Sequence, residues 1–303
     1  MLALVVLAAI AAAVAAWRFD PAWAKQKLTQ AVYERSQRVL TIDGVPSLSF
    51  FPSIGVRLGK ASLSEPRSTQ EFARVDNARV SVRVMPLLSR QVVVDRIELD
   101  GASARVVRDR NGKFNFDDLV SGPKEPAPGA AQQGTPIAFD VGGVAITRSS
   151  VLWRDEKAGR EIRLSDLSIK TGRLSQSASG PFEVAFVADG EQPKLKLAGT
   201  ARGKYRYDLA RKQFAVEGID VAVKGDAFGV TRLDGALHAK EAGLGGADGG
   251  GLQVAALALM AKGQLAQDAF EARAEVPHLA QANAGAVGQD ATASVRIAGA
   301  QRQ

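Results

Sequence analysis

Between Leu40 and Lys240 the side chains alternate, apolar then polar, in one stretch after another. Val80, Val82 and Val84 alternate with Arg79, Ser81 and Arg83. Leu195 and Leu197 alternate with Lys194 and Lys196, and Tyr205, Tyr207 and Leu209 with Lys204, Arg206 and Asp208. Ile219, Val221 and Val223 alternate with Asp220, Ala222 and Lys224. A period of two belongs to strands with one apolar and one polar face. No long amphipathic helical pattern recurs between them, so alternating βα units are excluded. Asp100-Gly101, Asn111-Gly112, Asp189-Gly190, Glu217-Gly218 and Asp234-Gly235 read as turns. The expected fold class is mainly β, with antiparallel hairpins in a meander. In Gln91–Leu99 the parity changes, with Val92 and Val94 on one side and Ile97 and Leu99 on the other. A bulge near Asp95 reconciles them.

The N-terminus has a different pattern. Residues 1–17 carry no charge, and as a helix they span about 25 Å, slightly less than a hydrocarbon core of about 30 Å. They are expected to form a retained transmembrane anchor built on Leu2, Leu4, Val5, Val6, Leu7, Ile10, Val14 and Trp17. The competing reading is a cleaved leader, for which Ala13-Val14-Ala15 supplies small residues; a long apolar run without a basic start favours the anchor. Arg18, Lys25 and Lys27 follow the span, which by charge alone places the body inside. A missing short basic N-terminus would resolve that conflict. Residues 18–40 are expected to be a juxtamembrane amphipathic helix beginning at Pro21, with Trp23, Leu28, Ala31, Val32 and Val39 near helical spacing.

Two low-complexity breaks divide the remainder. Residues 121–136 are rich in Pro, Gly, Ala and Gln and read as a linker or long loop; residues 241–251 are a glycine-rich loop. The expected units are 41–120, a first β unit, and 137–240, a second. A Gly/Ala-rich β segment, 241–303, follows. A repeat crosses the first break: Leu99-Asp-Gly-Ala-Ser103 resembles Ile146-Thr-Arg-Ser-Ser150, Arg108-Asp109 resembles Arg154-Asp155, and Asp118-Leu119 resembles Asp166-Leu167, displaced by 46 to 48 residues. Repetition of a strand-turn-strand unit implies a sheet that grows by addition.

Composition removes several function classes. There is no cysteine, hence no disulfide framework and no thiolate chemistry, and there are 2 histidines, His238 and His278. The net charge of +7 is spread singly along alternating stretches, without the aromatic-interleaved basic patch of a nucleic-acid binder. Gly55–Lys60 and Gly199–Lys204 contain Gly-Lys but are one residue too short for a phosphate loop, and no Ser or Thr follows. Asp109, Asn111 and Gly112 with Asp117 and Asp118 lack the order of a calcium loop and read as a turn and a cap. His238 is expected at a surface or edge and His278 in a loop. No catalytic residue, metal site or cofactor is assigned, and no enzyme activity is expected.

Three stretches resemble the N-terminal domain of the AsmA family. They are Leu40–Gly44 with Ser49–Gly55 and Ala61–Ser64; Val75–Val82 running into Pro86–Ser89; and Val94–Gly101 leading to Arg108–Gly112 and Asn115-Phe-Asp-Asp-Leu119. The resemblance continues more weakly to about residue 235. It implies a bacterial inner-membrane protein with a β-rich body in the periplasm, and a repeated meander curled into an open groove that carries phospholipid towards the outer membrane. Longer family members imply that 241–303 is a short or truncated end. An apolar face uncovered by helices must bury itself on something, and acyl chains contribute about 0.8 kcal/mol per buried methylene. The expected groove residues are Val80, Val82, Val84, Ile97, Leu99, Leu195, Leu197, Ile219, Val221 and Val223; ordinary sheet core is the competing role for each. Expected partners are phospholipid, the inner membrane and envelope proteins. The rival function is a periplasmic scaffold for outer-membrane protein assembly that carries no lipid.

Overall fold

The alternating stretches fold as strands, and two regions of the chain use them differently. The computed structural model describes residues 21–44, 46–49, 54–83, 93–120, 140–209, 211, 213–244, 251–282 and 285–299. The expected anchor at 1–17, the linker at 121–136 and Val84 lie outside these residues. Among the described residues no helix is long and apolar enough to cross a membrane. The chain divides into two compact units, Met1–Arg160 and Glu161–Gln303.

The first unit opens with helix α1 (Pro21–Ser36). Proline suits a first helical position because its missing N–H has no helical partner there. Lys25, Leu28, Thr29, Val32 and Ser36 form the partly buried face, while Trp23, Ala31 and Val39 are exposed. The packed stripe is therefore narrower than the sequence pattern suggests. The helix stops at Gln37, whose φ of 55° is left-handed, rather than near Leu40.

The strands of this unit are β1 (Leu40–Ile42), β2 (Ser47–Ser49), β3 (Ile54–Leu58), β4 (Ala61–Ser64), β5 (Glu71–Val75), β6 (Asn77–Val82), β7 (Val94–Asp100), β8 (Ser103–Arg108), β9 (Asp140–Val141) and β10 (Val144–Asp155), with a short helix α2 (Asp117–Val120) after β8. They behave as long strands interrupted at one level. β3 pairs with β6 and β4 with β5; Leu58↔Ala78 and Ala61↔Val75 flank the interruption, and the register is the same on both sides. The same holds for β6–β7 and β5–β8, where Asn77↔Asp100 and Arg74↔Ser103 flank it. Polar groups occupy this line. Thr147 Oγ1 donates to Asp100 Oδ1 at 3.0 Å, Arg148 Nε donates to the same atom at 2.8 Å, and Ser149 Oγ accepts from Ala102 N at 3.0 Å. Gly101 has φ +66°, and a Cβ there would run into the Asp76 carboxylate. Asp100-Gly101 is thus an interruption within a strand line and not a hairpin.

β10 corrects the expectation of a purely antiparallel meander. It runs parallel to β7 and then to β8. A parallel neighbour needs a crossover, and the residues between β8 and β10 are long enough to supply one. The first part of the sequence repeat is realised in this pairing, with Leu99 opposite Ile146 and Ser103 opposite Ser150, while Arg108 lies opposite Asp155, one residue beyond its repeat match Arg154. The bulge expected at Asp95 is present, because Ser81 pairs with Arg96 and Val82 with Val94; this returns Val94 and Ile97 to one buried face.

Arg38 joins α1 to this sheet. It is fully buried. Its Nε and Nη2 donate to Asp118 Oδ2 and Oδ1 at 2.8 and 2.7 Å, its Nη1 donates to Ser64 O at 2.9 Å, and its guanidinium lies 4.6 Å from the Phe72 ring centroid. The planar fork suits bidentate pairing with a carboxylate in a way a lysine does not.

The second unit contains β11 (Arg160–Thr171), β12 (Leu174–Ser175), β13 (Ser177–Gln192), β14 (Lys194–Asp208), β15 (Gln213–Ala227), β16 (Val230–Leu244), β17 (Gln253–Leu265), β18 (Asp268–Ala282), β19 (Gly285–Gln289) and β20 (Thr292–Ala298). β11, β13, β14, β15, β16, β17 and β18 pair antiparallel in succession, and β19 and β20 both lie along β18. Strands β13 to β18 have 13 to 16 residues because Asp189-Gly190, Glu217-Gly218 and Asp234-Gly235 are inside strands, not at turns. The turns are at Gln192-Pro193, Phe228-Gly229 and Ala266-Gln267. His278 likewise lies within β18 rather than in a loop. This sheet is open and uncurled, which corrects the expected curl. Curling needs irregularities at matching positions across a sheet; here the register shifts are scattered, between Arg202 and Lys204 in β14–β15, between Gly225 and Ala227 in β15–β16 and between Thr231 and Asp234 in β16–β17, and β13–β14 has none.

Candidate functional site

In an antiparallel ladder, residues paired across strands share a face. Following Val221 across the second unit gives one row: Ile169, Val184, Ala201, Val221, Leu237, Leu259, Ala274 and Ala293. Every member is apolar. At about 4.8 Å between strands the row extends roughly 34 Å. The row through Val223 is equally apolar: Phe186, Gly199, Val223, Gly235, Ala261, Ala272 and Val295. The next same-face row joins Leu164, Ala188, Leu197, Gly225 and Leu233.

Glycines in these rows make room for rings. A Cβ on Gly203 would approach Phe182 to 2.9 Å, and one on Gly180 would meet the Tyr205 hydroxyl at 2.7 Å. Phe182↔Gly203, Gly180↔Tyr205 and Phe186↔Gly199 are direct cross-strand pairs. Each ring lies over a bare backbone, a device that covers glycine in sheets. Tyr205 O–H donates to Arg173 O at 2.7 Å and Tyr207 O–H to Ser175 O at 2.9 Å. Burial pushes the Tyr205 hydroxyl above its ordinary pKa, with a smaller contribution from Tyr207, so it stays neutral.

On the opposite face two rows carry charges of alternating sign, with the row Ala185, Thr200, Ala222, Ala236 and Met260 between them. Lys170, Glu183, Arg202, Asp220 and His238 form one row, and Lys224, Asp234, Lys262, Glu271 and Arg296 another. Arg202 Nε donates to Asp220 Oδ2 at 2.9 Å, and His238 Nδ1 lies 3.4 Å from Asp220 Oδ1. Lys224 and Lys262 approach Asp234 at 3.7 and 3.4 Å. Exposed pairs contribute little singly, but this lattice keeps one face in water and leaves the other as the surface that needs a cover. Packing on the apolar face is uneven. Ala188, Leu195 and Ala227 form a tight cluster with Ile162, Leu164, Phe186, Leu197 and Leu233. Further along the sheet Leu259 is 39% exposed, Val295 66% and Ile297 67%.

The expected groove residues are divided between the two units. Leu195, Leu197, Ile219, Val221 and Val223 lie on this open face, with Leu195 buried and the others half-buried. Val80, Val82 and Ile97 are buried inside the first unit, Val82 at 1% exposure, and Leu99 is half-buried beside them. Sequence reasoning missed Val184, Leu237 and Leu259. Their signal was the same alternation, diluted by alanine and glycine. The carboxylates considered for chemistry have structural partners. Asp109 Oδ1 accepts from Asn111 N and Lys113 N, Asp117 Oδ2 accepts from Phe114 N, and Asp118 holds Arg38. Among the described residues no group of three or more His, Asp or Glu is placed to hold a metal.

The model of the AsmA family matches residues 1–284. The chain belongs to the AsmA family. Membership supports an envelope-associated protein. Among curated proteins it is similar to Protein AsmA of Escherichia coli (strain K12), at 24% identity over 201 residues. That match covers 65% of this chain and 32% of the relative, so the chain spans about a third of the relative's length. No solved structure matches. The AsmA-like stretches fall in the first unit, where the Asn115–Leu119 motif has a mechanical role. Asn115 Oδ1 accepts from Val107 N at 3.0 Å, and Asp118 neutralises Arg38.

Proposed function

We propose that this AsmA-family protein is anchored in the inner membrane by residues 1–17, holds its β body in the periplasm, and binds phospholipid acyl chains on the apolar face of its second unit, as part of lipid movement to the outer membrane. The supporting observation is the row from Ile169 to Ala293, apolar across eight strands and opposite a face of alternating charges. Contiguous apolar surface of that size on a soluble sheet calls for a cover. Acyl chains supply one without needing specific hydrogen bonds. Purified protein, extracted with solvent and analysed by mass spectrometry, is expected to release phospholipid, and Val221→Glu is expected to reduce the amount. Wild-type protein free of lipid would overturn the reading.

A second reading, a scaffold without lipid transport, draws on the edge of the same sheet. β20 pairs with β18 on one side, and all its residues are exposed. An exposed edge is a ready template for a partner strand. Copurification of an envelope protein with lipid-free chain, abolished by a proline at Ser294, would favour it.

A further inference from the structure

A line of irregularity crosses the second sheet. By the registers on either side of them, Gly218 in β15, Lys240 in β16, Ala256 in β17 and Pro277 in β18 fall opposite one another, and each ladder passes over them. Ile219↔Ala239 and Glu217↔Glu241 flank the line between β15 and β16, His238↔Ala258 and Glu241↔Ala255 between β16 and β17, and Leu257↔Val276 and Ala255↔His278 between β17 and β18. It reaches the sheet edge at Asp290. There Glu275↔Thr292 and His278↔Gln289 share one register, so β19 and β20 are a single strand line broken at this level. Gly218, Ala256 and Asp290 are left-handed, with φ of 57°, 49° and 52°. Pro277 has no N–H to give to a ladder, and proline within a sheet belongs at an edge or an irregularity. The register is unchanged across the line, so it provides one axis of flexure and no curl.

The first unit has a comparable line at Gly101 and Arg148, and there it is bolted. Asp100 accepts from Thr147 and Arg148, and Ser149 accepts from Ala102 N. In the second sheet, among the described residues of β15 to β20, no side-chain hydrogen bond or ion pair crosses the line. Arg206 holds Glu217 and Glu241 on one side of it, and Asp220 holds His238 on the other. Strand β14 passes the same level without a break, through Phe182↔Gly203. Beside the line on the charged face a recess of about 410 Å³, lined by Glu241, Ala255, His278 and Gln289, leaves room for movement. Non-glycine residues held left-handed gather where a fold switches or moves. We infer that the part of the second sheet beyond this line, residues 241–244 of β16, 253–255 of β17, 278–282 of β18 and β19, is a flap that swings about Lys240, Ala256, Pro277 and Asp290 while the unbroken β14 holds the sheet beside it. The apolar row Tyr205, Val216, Ala242, Val254, Leu279 and Gly288 lies on the flap side of the line, and Val221, Leu237 and Leu259 lie on the other. The hinge therefore sets the angle between two parts of one apolar face, whatever covers that face.

Hydrogen exchange of the full chain in detergent micelles, resolved by peptide mass spectrometry, tests the hinge. Within each of β16, β17 and β18 the flap amides are expected to exchange roughly tenfold faster than those on the other side of the line, with β14 evenly protected through Gly203. Equal protection on the two sides overturns the hinge. So does a gradual loss that is as large at the opposite ends of the same strands, because that is fraying. The chain has no cysteine, so paired spin labels can be placed uniquely. Labels on Gln253→Cys and Lys262→Cys straddle the line in β17, and labels on Lys196→Cys and Lys204→Cys straddle the same level in β14, each pair roughly 27–30 Å apart. All four positions are exposed. The β17 pair is expected to give a distance distribution about twice as wide as the β14 pair. Equal widths overturn the hinge whatever the exchange rates.

Discussion

The two units apply the same alternating pattern to different ends. In the first, Val80, Val82, Val94 and Ile97 disappear into a closed interior, and even Ser81 on the other face of β6 is buried. In the second, Val221, Val223 and Leu237 remain partly exposed on a broad face, and Leu259 is 39% exposed. The strand architecture differs in parallel. The first unit interrupts its strands at one level, seats polar groups on that line, adds β10 in parallel and locks α1 through Arg38. The second runs unbroken β13 against β14 and stiffens its wet face with alternating charges. Alternation therefore specifies a two-faced strand, and what lies over the apolar face decides between core and binding surface.

Valine-to-glutamate substitutions give the sharpest contrast. Val82→Glu puts a carboxylate where the side chain is 1% exposed, and a loss of several kcal/mol, on the order of the whole stability of a unit, is expected in thermal or denaturant unfolding. Val221→Glu, half-buried on the open face, should leave the transition within a few degrees of wild type while bound lipid falls. Equal destabilisation by the two substitutions would erase the distinction between the units.

Next in size is the Arg38 clamp. Asp118→Asn leaves the buried Arg38 guanidinium with Glu65, 3.8 Å away, as its remaining carboxylate and should cost about 3 kcal/mol, whereas Arg38→Met leaves a carboxylate that reaches water and should cost less. Chemical denaturation of the two variants and the wild type measures the order. In the second unit, Gly199→Val drives a Cβ towards the Phe186 ring, with about 1–3 kcal/mol expected from overpacking. A neutral result would mean that the ring is not seated on Gly199.

Acid should act more gently, and through the first unit. Hydrogen bonds from Arg148 and then Thr147 hold Asp100 below its ordinary pKa; Asp155 is lowered chiefly by the Ala158 N–H, against a contribution from burial, with Lys157 and Arg108 assisting. Groups with depressed folded-state pKa values stabilise the fold above the unfolded carboxylate value, about 3.9, and that stability is lost as pH falls through the folded values. Unfolding followed between pH 6 and pH 2 should show the loss below about pH 4, and Asp100→Asn should reduce its slope.

Much was legible along the chain because it depends on neighbours in sequence. Alternation identifies β6, β14 and β15, the parity change at Asp95 is a bulge, and the repeat from Leu99 to Asp155 is a pair of adjacent strands. Pro21 opens a helix as proline does. Glycine was ambiguous for a physical reason. The same missing Cβ that permits a turn also permits a strand interruption, as at Gly101, or a ring lying on the backbone, as at Gly199 and Gly203. Local sequence cannot choose among these, since the partner is on another strand. The same holds for Asp118, which caps or turns in any local reading and becomes the counter-ion of Arg38 only because residues 80 positions apart meet. Val82 and Val221 have equivalent local patterns, and burial separates them because it depends on what the rest of the fold brings over each face.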